Sequence, residues 1–206
     1  ISDWTNVDEI DTYLMRMLRK EAYDGSGLIY GIGHAVYTIS DPRAILLKEL
    51  ARDLVAEKGC EKEFAFLELL EQRAIECFKK AADLEPDNST YLETLAKAYV
   101  TNDNDSLAIG TLEKIVEKET GRIDILEMLV QLYQKRADYD NTIKTLDRLE
   151  TLEGKNERLT YAKSEIYSLT GDKKAAINEM KKLADQYPND LNYRGMYGDA
   201  LLMNAR

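Results

Sequence analysis

The chain has 206 residues, with 28 Lys and Arg against 38 Asp and Glu and a net charge of −10. That acidic balance argues against a nucleic-acid backbone or an anionic membrane as the main partner, since both demand a concentrated basic surface. Two cysteines make no disulfide framework, one histidine leaves no His-based metal cluster, and no run approaches the roughly 18 apolar residues of a membrane span.

In chain order, Ile10, Tyr13, Leu14, Met17 and Leu18 follow helical spacing, which predicts an amphipathic helix over about 8–20. The stretch Asp24-Gly-Ser-Gly-Leu-Ile-Tyr-Gly-Ile-Gly33 is too glycine-rich to continue it. Asp41-Pro42 is a helix start, with aspartate as cap and proline in the first helical position. That helix is expected to run to Gly59, with Ile45, Leu46, Leu50, Leu54 and Val55 available for burial. The next begins near Glu61, carries Phe64, Leu67 and Leu70, and shows no stop before Pro86.

Within this part, Gly31-Ile-Gly-His-Ala-Val-Tyr-Thr-Ile-Ser-Asp-Pro-Arg43 resembles the signature of citrate synthase. The flanks Glu21–Tyr30 and 44–73 are similar to the smaller domain of that family, so the resemblance covers about 1–73. It implies that His34 hydrogen-bonds the reacting ketone of oxaloacetate. Arg43 would grip a substrate carboxylate, a task suited to a bidentate guanidinium. It implies further that Leu28, Ile29, Tyr30, Gly31, Ile32 and Gly33 hold the coenzyme A adenine through backbone groups, which glycines permit by removing side-chain bulk. Thr38 departs from the pattern, standing where many members have a basic residue near the coenzyme A phosphates. The family's reaction also needs a second histidine, upstream of the matched segment, and an aspartate base, downstream of it. This chain matches the family's pattern at neither, and His34 is its single histidine.

From Ala74 onward the chain repeats every 34 residues without insertion or deletion. One column is small or short (Ala74, Ala108, Thr142, Ala176), and four residues later another is large and apolar (Phe78, Leu112, Leu146, Met180). Three further on come Ala81, Ile115, Leu149 and Leu183, while Tyr99, Tyr133 and Tyr167 mark the other half of the unit. These columns resemble the tetratricopeptide (TPR) repeat, a pair of antiparallel helices. Small residues let paired helices approach closely, and large ones fill the groove of the next pair. The register gives a half repeat at 74–88, repeats at 89–122, 123–156 and 157–190, and a closing helix over 191–206. Lys163 and Ser164 depart from it, standing where earlier repeats have Leu95–Ala96 and Leu129–Val130, and Arg194 occupies the column of Leu92 and Leu126.

The expected fold is all-α: a superhelix of TPR hairpins (74–206) preceded by a helical citrate-synthase-like segment (1–73). The register changes at Ala74, inside a helix and without a linker, which points to a fusion of two unrelated sequences. By the TPR resemblance, a partner protein or peptide lies in the groove of the repeats. It would contact Glu93, Lys97, Thr101, Glu127, Gln131, Lys135, Tyr161, Glu165 and Asn192, and apolar faces of 1–73 could support self-association. The expected function is a protein-interaction scaffold with an incomplete citrate-synthase-like segment that is inactive alone and requires no cofactor or metal. The alternative is a citrate synthase, an acyltransferase of the tricarboxylic acid cycle, that takes acetyl-CoA as substrate and needs further parts of the enzyme. The absence of a leader favours the cytoplasm and is equally compatible with a mature secreted or periplasmic chain.

Overall fold

A computed structural model describes residues 1–27, 29, 50–55 and 57–204. All regular structure among them is helical, and packing divides the chain into two units, residues 1–118 and 119–206.

The first unit opens with α1 (Val7–Leu18). Asn6 caps it, its Oδ1 accepting from the Glu9 amide at 3.1 Å, and Asp8 and Glu9 place negative charge at the positive end of the helix dipole. Ile10, Leu14 and Leu18 recur every four residues and form the buried stripe. Residues 50–55 are helical, and the chain turns at Gly59, whose φ of 67° lies in the left-handed region. Then α2 (Glu61–Leu84) runs for 24 residues without a break, as the lack of a stop signal predicts. Its two halves differ. Ala74, Cys77, Phe78, Ala81 and Ala82 are buried, while Leu67 is more than half exposed. Burial therefore deepens at the residue where the repeat register begins.

Next come α3 (Ser89–Thr101), capped by Asn88, and α4 (Asp105–Lys118). α3 packs between α2 and α4, and α1 lies on α2. Lys118 at the end of α4 reaches back to the Pro86 carbonyl at 3.2 Å and to Asp87, tying the α2–α3 corner to α4.

The second unit is a run of antiparallel pairs: α5 (Ile123–Lys135) with α6 (Tyr139–Glu153), α7 (Glu157–Leu169) with α8 (Lys173–Gln186), then α9 (Leu191–Asn204) on α8. Its core is Ile125, Leu126, Leu129, Leu132, Leu146, Leu149, Leu159, Ile166 and Leu183.

The 34-residue period extends to the backbone. Asp103, Ala137 and Gly171 all take positive φ (56°, 54° and 82°) in the turn between first and second helix. The next residue in each case, Asn104, Asp138 or Asp172, donates its amide to the carbonyl of the tyrosine column at 2.8–2.9 Å. Asp138 and Asp172 then cap the following helix through Oδ1, accepting from Asn141 at 3.3 Å and from Ala175 at 3.0 Å. All three turns thereby satisfy a carbonyl at one helix end, and those at Asp138 and Asp172 also satisfy an amide at the next helix start.

Candidate functional site

Two groups of residues were singled out by sequence, and the structure treats them differently. His34, Arg43, Leu28, Tyr30, Gly31, Ile32, Gly33 and Thr38 lie outside the described residues. Ile29 is described and is buried. The approach to this segment is a tight exit from α1. Lys20, Tyr23, Gly25 and Gly27 all have positive φ, and Asp24 Oδ1 accepts from the Ser26 amide at 3.0 Å. At Gly27 a Cβ would stand 3.3 Å from the Lys20 side chain and 3.4 Å from the Leu18 carbonyl oxygen, so both φ and space favour glycine there. Four left-handed residues in eight explain why no helix continues past Lys20.

The second group is the outward face of the first helices. In the first unit, Glu93, Lys97 and Thr101 stand one turn apart on α3. Lys97 Nζ pairs with Glu93 at 2.7 Å, and Thr101 Oγ1 donates to the Lys97 carbonyl at 3.0 Å. In the second unit, Glu127, Gln131 and Lys135 follow one another along α5, Tyr161 and Glu165 along α7, and Asn192 opens α9. Gln131, Lys135, Tyr161, Glu165 and Asn192 are exposed, with Tyr161 at 46%. Glu127 reaches Arg158 at 3.1 Å, and Arg158 also bonds Glu153 at 2.7 Å, an ion-paired edge beside Tyr161 in the sequence of α7. A polar strip with one exposed aromatic suits an extended peptide, because tyrosine supplies contact area while freezing few rotamers.

What the sequence reading flagged as a departure, but did not place, is Lys163. Its side chain is 4% exposed, inside the second unit's core. It pairs with Asp147 at 2.5 Å and with Glu150 of α6; Lys155 joins Glu150 at 2.9 Å to Glu179 of α8 at 3.0 Å, and Lys182 completes the set at 2.7 Å from Glu179. Three ammonium groups and three carboxylates therefore run from α6 through α7 to α8. Burial pushes the Glu150 carboxyl up, but hydrogen bonds from Lys163 and Lys155 outweigh it and hold the group below the usual carboxylate range. Glu179 behaves alike between Lys182 and Lys155. Burial pulls the Lys163 ammonium down, and its hydrogen bonds to Asp147 and Glu150 more than restore it, leaving it above the ordinary lysine value. Thr160, in the column of Leu92 and Leu126, is buried, and its Oγ1 finds no hydrogen-bond partner among the described residues. No group of three or more His, Cys, Asp or Glu among the described residues is placed to hold a metal ion. No described helix is long and apolar enough to cross a membrane.

Comparison with known families bears on the first unit most directly. The family model of the citrate synthase C-terminal domain matches residues 1–104, half of the 206. The chain belongs to the citrate synthase family. The citrate synthase match takes in α1, α2 and α3, and so passes through Ala74 into the region where the 34-residue columns are also present. A tetratricopeptide repeat model matches residues 158–190, the stretch that holds α7 and α8. Both resemblances read from the sequence are thus found independently. No curated protein matches the chain. Among solved structures, a crystal structure of MamA is similar with a TM-score of 0.48 and 22% identity, covering 74% of this chain and 84% of that one. A second MamA structure gives 0.48 and 20% over 80% and 85% of the two chains. A thermophilic TPR protein of Thermus thermophilus gives 0.40 and 20% over 78% and 96%.

Proposed function

We propose that the chain is a protein-interaction scaffold whose second unit receives a peptide along the outward face of its first helices, and that its citrate-synthase-like segment does not turn over substrate alone. The observation that carries the scaffold reading is the exposed strip Gln131, Lys135, Tyr161 and Glu165 on α5 and α7, whose other faces are buried, continued by the exposed Asn192 on α9. Selection from a displayed peptide library against the full chain tests it. The enriched peptides should lose about tenfold or more in affinity, about 1.4 kcal/mol, on Tyr161→Ala, with an unchanged melting temperature. Enriched peptides indifferent to both Tyr161→Ala and Gln131→Ala would sink the reading.

Family membership supports one rival, a citrate synthase completed by other parts. His34 is the single histidine, so a second imidazole for enolate stabilisation is not available within one chain. A positioned acid or base contributes about 10²–10⁴-fold, and two such groups are missing from the family's pattern together. Thiol release from acetyl-CoA in the presence of oxaloacetate should therefore stay at background with the pure chain. Turnover above background that disappears in His34→Ala would replace the scaffold reading with the enzyme.

A further inference from the structure

A cavity of about 410 Å³ opens between α2 and α4 with α3 beneath it, wholly inside the first unit. Leu92, Leu95 and Tyr99 of α3 line its floor, and all three are buried. Leu107 of α4, 53% exposed, adds apolar surface at the side. Lys79 of α2 and Lys114 of α4 also line it; both are exposed, and neither makes an ion pair among the described residues. Asp83 is the one carboxylate in the lining, so the cations outnumber it. Burial raises the Tyr99 phenol above its ordinary value, which keeps it a neutral donor.

The second unit shows what the same wedge can hold. Two 34-residue periods on, the columns of Lys79, Ala82, Leu95, Thr111 and Lys114 carry Asp147, Glu150, Lys163, Glu179 and Lys182. All five belong to the ion set that joins α6, α7 and α8, where Lys182 pairs with Glu179 at 2.7 Å and Lys163 with Glu150. There the chain fills its own wedge. In the first unit Lys114 keeps the column of Lys182, but alanine and threonine stand in the columns of Glu150 and Glu179, and leucine in that of Lys163. Short neutral side chains in place of carboxylates leave the volume open and the lysines without an anion. Gly110, in the column of Asn178, widens the opening: an added Cβ there would meet nothing within 4 Å.

We infer that this cavity binds a small aliphatic carboxylate, with its tail on Leu92, Leu95 and Leu107 and its carboxylate against Lys79 and Lys114. The ligand supplies the negative charge that Glu150 and Glu179 supply within the second unit. A cavity of this size, apolar with a few placed polar groups, is of the kind that takes a small molecule. At an exposed mouth each ion pair contributes little, so apolar contact carries most of the affinity and the two ammonium groups select the anion. The site lies in the first unit and does not depend on the peptide strip of α5 and α7.

Octanoate serves as the probe, titrated into the full chain and followed by the Gly110 amide resonance. It should saturate with a dissociation constant of about 0.1–1 mM. Octan-1-ol, which has the same tail and no charge, should bind about fivefold more weakly, as should octanoate to the double variant Lys79→Met, Lys114→Met. Gly110→Leu fills the cavity from α4 while favouring helix, since leucine is the better helix former. It should weaken octanoate about tenfold without lowering the melting temperature. No saturation by about 10 mM, or equal affinity for Gly110→Leu, would overturn the proposal. Equal binding of octan-1-ol and octanoate would overturn it too, leaving apolar adsorption only. So would a peptide with a free Leu-Leu C-terminus that binds about tenfold tighter than octanoate, which would make a protein tail the occupant.

Discussion

Lys163 is the residue whose chemistry departs furthest from its position. Its column holds Leu95 and Leu129 in the preceding repeats, both buried, and the lysine is buried too. An ammonium withdrawn from water is tolerated only when its partners repay the desolvation, and here Asp147 and Glu150 do so while Lys155 and Lys182 satisfy the remaining carboxylates. Breaking such a set should be far worse than replacing it. Lys163→Ala is expected to lower the unfolding free energy by about 3 kcal/mol, by urea titration with circular dichroism. Lys163→Leu restores the column residue and leaves Glu150 with Lys155, so its loss should stay below about 1 kcal/mol. Equal effects of the two would mean that the charge set contributes nothing beyond volume. The pH dependence follows from the shifts. Glu150 and Glu179 are depressed in the folded state, so their contribution is present above about pH 4.3 and lost as pH falls through the folded values. Lys163 and Lys182 are raised, so theirs is present below about pH 10.4 and lost as pH rises through the folded values. The difference in midpoint between wild type and Lys163→Leu should therefore be flat between about pH 5 and 10, with the lysine contribution fading on the alkaline side.

Among the elements, α1 is joined to the rest by few but specific contacts. Asp11 takes a two-pronged hydrogen bond from Arg73, whose Nε lies 2.7 Å from Oδ1, and Lys80 adds a longer contact at 3.4 Å. The Arg73 guanidinium holds the Asp11 carboxyl below its ordinary value. Just ahead of α1, Trp4 stacks on Phe66 of α2 at 4.8 Å. Asp11→Ala should lower the stability read by Trp4 emission by about 1 kcal/mol, a modest figure because both partners remain partly in contact with solvent. An unchanged Trp4 midpoint would show that apolar burial of Ile10 and Leu14 alone holds the helix. Helix existence was legible in sequence: the 34-residue register starts its repeats at 89, 123 and 157 and its closing helix at 191, and α3, α5, α7 and α9 begin there, with the same turn backbone recurring at 103–104, 137–138 and 171–172. The α1 clamp was not legible, since Asp11 and Arg73 are 62 positions apart and periodicity says nothing about which charges meet. Nor was the burial of Lys163: spacing says which face it shares, and not that two carboxylates, Asp147 and Glu150, meet it there. The His34–Arg43 signature lies outside the described residues, so that part of the site rests on sequence.

For the molecule as a whole, the 34-residue register and the packing draw their lines in different places. The repeat register begins at Ala74, inside the continuous helix α2, whereas the chain divides by packing between residues 118 and 119. One line concerns which residues follow the 34-residue columns; the other concerns which side chains share a core. Because α2 is unbroken and packs against both α1 and α3, its two halves belong to one unit. Unit 119–206 has its own core and its own charge set, so the two units should respond separately to mutation. The single tryptophan, Trp4, lies in the first unit and gives it a private signal, while circular dichroism reports helix in both. In urea, Lys163→Ala should shift the dichroism curve to lower denaturant and leave the Trp4 midpoint in place, and Asp11→Ala should move the Trp4 midpoint. Non-coincident transitions of this kind are the standard sign that folding is not two-state. If Lys163→Ala moves both probes together, the cores are coupled strongly enough that the chain unfolds as one body, and interactions between adjacent helices carry more of the stability than either core does alone.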